Sequence, residues 1–158
     1  ISAGEKMPQG SLTVMGKNGP ESISTDEIFT GKQVVLISVP GAFTPTCSMS
    51  HLPGFVENAD KILSKGVDTI ACMAVNDVFV MHAWGADQKV GDKVLMLADG
   101  NADYTKALGL ELDATKFNMG VRGQRFAIIV EDGVATHVAV EEPASFDVSR
   151  AEAVLEVL

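Results

Sequence analysis

Cysteine is scarce in this chain. Only Cys47 and Cys72 occur in 158 residues, too few for a disulfide scaffold, which leaves redox or catalytic use as the better expectation. Basic residues are also few: 12 Lys and Arg face 21 Asp and Glu, for a formal charge of -9. That balance argues against nucleic acid or an anionic membrane as the main partner and favours a small or uncharged substrate. No apolar run approaches the roughly 18 residues of a membrane span, and no stretch of signal-peptide type precedes the first turn, so a cytoplasmic location is expected. His82 and His137 lie far apart and lack ligand spacing, so neither a metal nor another cofactor is expected. There is no internal repeat, low-complexity tract or linker. What is present, 46% hydrophobic and 21% charged residues, suits a single domain over 1–158 with a substantial core.

Apolar runs alternate with helix signals. Residues 1–10 read as an irregular arm and 11–15 as a short edge strand. Ser24-Thr25-Asp26-Glu27 has cap and acidic first-turn character, which places one helical turn over 26–30, ended by Gly31. Strands are predicted over 33–39, 67–75 and 94–98. The first two are joined by a helix to about residue 65, capped by Gly66 and kinked or split at Pro53, and the next two by a helix over 78–89 that Asn76 or Asp77 caps. A short helix ends at Ala107 and Gly109, and 110–123 reads as a looser stretch. Residues 125–131 and 134–140 form a hairpin across Asp132-Gly133, and a loop over 141–146 leads to an amphipathic helix over 147–158. This order predicts an α/β fold with a central mixed β-sheet flanked by helices.

The chemistry concentrates at the end of the first of those strands. Pro40-Gly41 stops the run, Thr44 is a good helix cap and Pro45 suits a first helical position, which puts Cys47 in the first turn. Free N–H groups and the positive end of the helix dipole favour a thiolate there. On local chemistry alone, a reactive thiolate and a small apolar residue filling space beside a strand end are equally good readings of Cys47. His51 lies four residues further, so a regular helix would put the two on one face and permit a Cys-His pair of hydrolase type, although no third orienting group or oxyanion site is evident.

The string Pro40-Gly41-Ala42-Phe43-Thr44-Pro45-Thr46-Cys47-Ser48, followed by His51-Leu52-Pro53-Gly54-Phe55, resembles the peroxidatic site of the peroxiredoxin 5, or type II, group of peroxiredoxins. Val75-Asn76-Asp77, Trp84-Gly85 and Arg125-Phe126 agree with it in order. The resemblance implies a thioredoxin-like fold and a thiol peroxidase that reduces hydrogen peroxide and alkyl hydroperoxides. Carried over, Cys47 is the nucleophile that becomes a sulfenic acid, Thr44 and Arg125 stabilise the leaving oxygen, and Pro40 limits water access to the sulfur. Arg122 competes with Arg125, but the Arg125-Phe126 pair at the head of an apolar run fits the family position better. The resemblance reads His51 as support for the local structure.

Cys72 lies 25 residues after Cys47 (72 − 47), a spacing found in plant-like members for which an internal disulfide has been considered, so it is a candidate resolving thiol. Its place in Thr69-Ile70-Ala71-Cys72-Met73-Ala74-Val75 reads instead as a central strand that buries and silences it. No further cysteine follows, and no glutaredoxin-type motif is present, so an external glutathione–glutaredoxin or thioredoxin system is the expected reductant. The family implies a homodimer, to which Phe43, Phe79 and Trp84 are candidate contributors, although each suits the core equally well. The rival reading is a thioredoxin-like redox sensor or binding module without turnover.

Overall fold

The structure is a computed structural model that describes residues 1–158. Three runs with almost no polar position form the parallel centre of the sheet: β3 (Gln33–Ser38), β4 (Thr69–Ala74) and β5 (Leu95–Ala98). Strands buried on both faces need such runs. Val35, Ile37, Ile70 and Cys72 enter one core, and Val34, Leu36, Ala71 and Met73 enter the other.

Seven strands form a mixed sheet in the order β2 (Gly19–Ser24), β1 (Ser11–Gly16), β5, β4, β3, β8 (Phe126–Glu131), β9 (Val134–Val140). β1 and β2 extend one side antiparallel, and β8 and β9 the other. One face is covered by α2 (Leu52–Glu57), α3 (Ala59–Leu63), α4 (Val78–Asp87) and α6 (Ala151–Val157), and the other by α1 (Thr25–Phe29) and α5 (Asp103–Ala107). This is a thioredoxin-like α/β fold.

Local signals explain most boundaries. Ser24 and Glu27 form a reciprocal capping box on α1, Asp77 accepts the Val80 N–H at 2.8 Å to start α4, and Asp132 and Gly133 both take positive φ in the β8–β9 turn. Four expectations need correction. β1 is not the edge, because β2 lies outside it; Gly19 and Pro20 hide β2's strand character, and Pro is tolerated there because the edge has free valence. The stretch 110–123 holds a small hairpin of β6 (Glu111–Asp113) and β7 (Val121–Gly123), strands too short to show a period of two. The helix after Cys47 is split as expected, but the break falls at Asn58, between α2 and α3, and Pro53 itself lies inside α2. The last helix begins at Ala151, because the amides of Asp147 and Ser149 are bound by a side chain instead of by a helix.

Candidate active site

β8 runs antiparallel to β3 with Ser38 opposite Phe126, so the start of β8 lies at the sheet end where β3 stops. That topology brings Arg125 to the segment after β3, across 78 residues of sequence. The Ser38 hydroxyl donates to the Gln124 carbonyl at 2.9 Å and fastens the junction. Cys47 is fully buried, and Arg125 Nη2 donates to its Sγ at 3.1 Å. Arg122 does not share that role. Its guanidinium lies behind the turn, where a Cβ on Gly41 would come within 3.1 Å of Nη1, and its Nε donates to the Met119 carbonyl at 3.0 Å.

Thr44 precedes the helical residues as expected, but its hydroxyl does not cap them. It donates to the Gly41 carbonyl at 2.6 Å, which closes the Gly41–Thr44 turn and leaves the oxygen's lone pairs as acceptors. Cys47–His51 forms a π-helical turn, with the Leu52 N–H donating to the Cys47 carbonyl. In a regular helix the Pro53 ring would collide with the carbonyl four residues back, and the wider turn just before Pro53 relieves that conflict.

His51 is fully buried. Its Nδ1 lies 2.8 Å from Arg125 Nη1 and must accept, since arginine only donates; its Nε2 therefore carries the proton, donated to the Ser149 carbonyl at 3.0 Å. Burial, then the Arg125 charge, push its pKa down from 6.5 to about 3, against the smaller pull of Ser149 and Glu141. This corrects the Cys-His reading: the ring is a neutral acceptor turned to the guanidinium, unsuited to deprotonating a thiol. Phe146 packs edge-on to His51, ring centroids 5.2 Å apart, and its ring lies 5.9 Å from Arg125 Cζ. Burial pushes the Glu141 carboxyl up, but the Ser149 hydroxyl and amide and neighbouring amides outweigh it and hold the carboxyl below the usual range.

Cys72 stands mid-strand between Ile37 and Met96, fully buried, in the same core as Cys47; both thiols are free. Burial, then the neighbouring Cys47, push its thiol far up, with Arg125 opposing weakly. Trp84, named as a candidate interface residue, is instead fully buried and donates from Nε1 to Ser48 Oγ at 2.9 Å, beside Cys47. Phe43 and Phe79 are 54% and 63% exposed.

A protein-family model described as Redoxin matches residues 2–155. Peroxiredoxin-2B of Arabidopsis thaliana is 45% identical over all of this chain and 98% of its own length. The chain belongs to the type II peroxiredoxins. Among solved structures, reduced Prx3 of Vibrio vulnificus in complex with H2O2 matches with a TM-score of 0.96 at 50% identity, covering 99% of this chain and 98% of that one. The Plasmodium falciparum antioxidant protein, described as a 1-Cys peroxiredoxin, matches with a TM-score of 0.93 at 31% identity over 99% and 98% of the two chains. As a peroxiredoxin, the protein is a thiol-dependent peroxidase.

In this peroxiredoxin a cavity of about 500 Å³ opens beside Arg125, between Pro40 and Thr46 on one side and Phe117, Pro143 and Phe146 on the other. Of the predicted site residues, Pro40 and Arg125 line it, whereas Cys47 and Thr44 do not. One of about 550 Å³ beneath α4, between Met81 and Met96, includes none of them. Sequence reasoning missed Glu141 and Ser149, which lie in a stretch without periodicity, and it named His51 without its partner. The Glu141-Glu142-Pro143 string gave no sign that one of its carboxylates is buried.

Proposed function

We propose that Cys47 is the peroxidatic nucleophile and that Arg125, Thr44 and Pro40 serve it. The Cys47 thiolate attacks the nearer peroxide oxygen and the O–O bond breaks. The leaving oxygen takes up a proton and departs as water or an alcohol, and the sulfur is left as a sulfenic acid. The contact of Arg125 with Sγ at 3.1 Å, its other amino group held by His51, carries this reading, because a fixed cation costs little reorganisation as charge builds on the oxygens. Thr44 does not donate to the leaving oxygen as the resemblance implies, because its one proton goes to Gly41; its lone pairs are free to accept the peroxide's own O–H. Pro40 walls the cavity and limits water at the sulfur. The H2O2 complex of the Vibrio relative supports hydrogen peroxide as substrate, and the Phe117, Pro143 and Phe146 part of an otherwise mostly polar cavity wall favours alkyl hydroperoxides as well.

A thiol of glutathione, glutaredoxin or thioredoxin attacks the sulfenic sulfur, releasing water and forming a mixed disulfide that a second thiol resolves. The mid-strand burial of Cys72 and the 1-Cys description of the Plasmodium relative favour a cycle that uses Cys47 alone. Two free buried thiols suit a reducing compartment such as the cytoplasm, which cell fractionation tests. A homodimer is supported by exposed Phe43 and Phe79, whose segments are stitched by the Ala42 N–H donating to Asn76 Oδ1 at 3.0 Å. Light scattering of Phe79→Asp against the parent protein tests the dimer.

The deciding experiment is the protein's mass after one equivalent of hydrogen peroxide, with and without a sulfenate trap. A trapped adduct on Cys47 with Cys72 still alkylatable is expected. Loss of two hydrogens within one chain, with both thiols protected, would overturn the one-cysteine cycle.

A further inference from the structure

Glu141 takes part in a closed circuit of contacts that the mechanism above does not use. It follows β9 directly, and its backbone N–H donates to the Arg125 carbonyl at 2.9 Å. Its Oε2 accepts from the Asp147 N–H at 2.7 Å, the Ser149 N–H at 2.9 Å and the Ser149 hydroxyl at 2.7 Å. The Ser149 carbonyl accepts the His51 Nε2 proton, and His51 Nδ1 accepts from Arg125 Nη1. Arg125 Nη2 then meets the Cys47 sulfur. One residue therefore grips Arg125 at both ends, the backbone directly and the guanidinium through two intermediaries.

Three donors on one carboxylate oxygen of a buried residue call for a full negative charge. The segment they anchor has no regular structure to hold it otherwise, since α6 starts only at Ala151. If that segment drifted, His51 would lose its acceptor, its tautomer would no longer be fixed, and Arg125 would lose the partner that sets its second amino group. We infer that Glu141 is a positioning residue for Arg125, acting through the Ser149 carbonyl and the His51 ring to hold the guanidinium on the Cys47 sulfur. The assignment rests on the peroxidase mechanism proposed above. Arg125 touches the reacting atom; Glu141 only aims it.

The test is the second-order rate with hydrogen peroxide for Glu141→Leu, measured in the parent protein and again in Arg125→Lys, with far-ultraviolet circular dichroism and the emission of the single tryptophan, Trp84, as checks on the fold. In the parent, Glu141→Leu lowers the rate about 10- to 100-fold, as loss of an outer supporting contact does in comparable sites. In Arg125→Lys, where the aimed group is gone, it lowers the rate less than about threefold. A rate within about twofold of the parent, or an equal loss in both backgrounds, overturns the assignment. If Glu141→Leu does not fold, Glu141→Gln decides by the same comparison. It keeps an uncharged acceptor, so a loss of about threefold to tenfold that vanishes in Arg125→Lys supports the assignment, and no loss or an equal loss in both refutes it. Were the parent itself to consume no peroxide, the mechanism would fall and this assignment with it, whereas an active parent with an unaffected Glu141 variant defeats this assignment alone.

Discussion

Both thiols of this peroxiredoxin are fully buried in one apolar core, one in the helical turn after β3 and the other halfway along β4. Burial is the same, so it does not distinguish them. A residue in mid-strand lies between neighbours whose backbone groups are already committed to the ladder, here Ile37 and Met96, and nothing polar remains to meet a sulfur anion. At the strand end the ladder stops. An arginine from the antiparallel β8 reaches the sulfur from the same sheet end. In the proposed mechanism the reactivity of Cys47 follows from where the sheet runs out of partners and from what the opposing strand delivers, rather than from exposure.

The largest effect that would break this contrast lies at Cys47. Cys47→Ser is expected to lower peroxide consumption by at least about 1000-fold, since a serine hydroxyl has no general base here to activate it. A variant retaining a tenth of the rate in a stopped-flow assay would mean that the sulfur at the strand end is not the nucleophile. Next comes Arg125→Lys, which keeps the charge but loses the two-pronged reach to Sγ and His51, with an expected fall of about 100-fold in the second-order rate. A loss under threefold would leave the strand-end arginine without its claimed part.

His51 sharpens the contrast through pH. The unfolded ring titrates near 6.5 and the native ring near 3, so above pH 6.5 both states are neutral and the residue adds no pH dependence. Below 6.5 the unfolded chain takes up a proton that the native protein does not, so stability falls as pH falls, by about 1.4 kcal/mol per unit. By pH 4.5 the loss assigned to this ring is about 2–3 kcal/mol. Urea unfolding at pH 7 and 4.5 should therefore show a smaller acid loss in His51→Gln than in the parent. Identical losses would mean that the ring is not held neutral.

Much of this arrangement was legible in the sequence. The three apolar runs, the Asp132-Gly133 turn and the Ser24 box are local signals that the fold obeys. Cys47 and Arg125 were readable because a long motif and an Arg-Phe pair carry them, and the pairing of Ser38 with Phe126 explains why they meet. Three kinds of feature were not readable. β2, β6 and β7 are too short or too rich in Gly and Pro to show alternation. The π-helical turn answers a conflict at Pro53 that sequence reading located without showing its resolution. The Glu141–Ser149–His51 chain runs through a carbonyl and a carboxylate from two segments, and backbone groups leave no mark in side-chain patterns.

The smallest effect is expected at Cys72. To resolve a Cys47 sulfenic acid, its sulfur would need to approach with the two Cα atoms within about 7 Å and unobstructed Cβ vectors, with its own proton lost. The burial that pushes its thiol up opposes that ionisation, and the ladders to Ile37 and Met96 oppose any displacement of the strand. Cys72→Ala should therefore leave glutaredoxin-supported turnover within about twofold while costing about 1–2 kcal/mol of stability for the small cavity it opens. Turnover and urea unfolding read the two quantities separately. Unchanged turnover with lowered stability makes Cys72 a packing residue; lost turnover with unchanged stability would mean that β4 opens in each cycle, and the two thiols would then differ in timing rather than in kind.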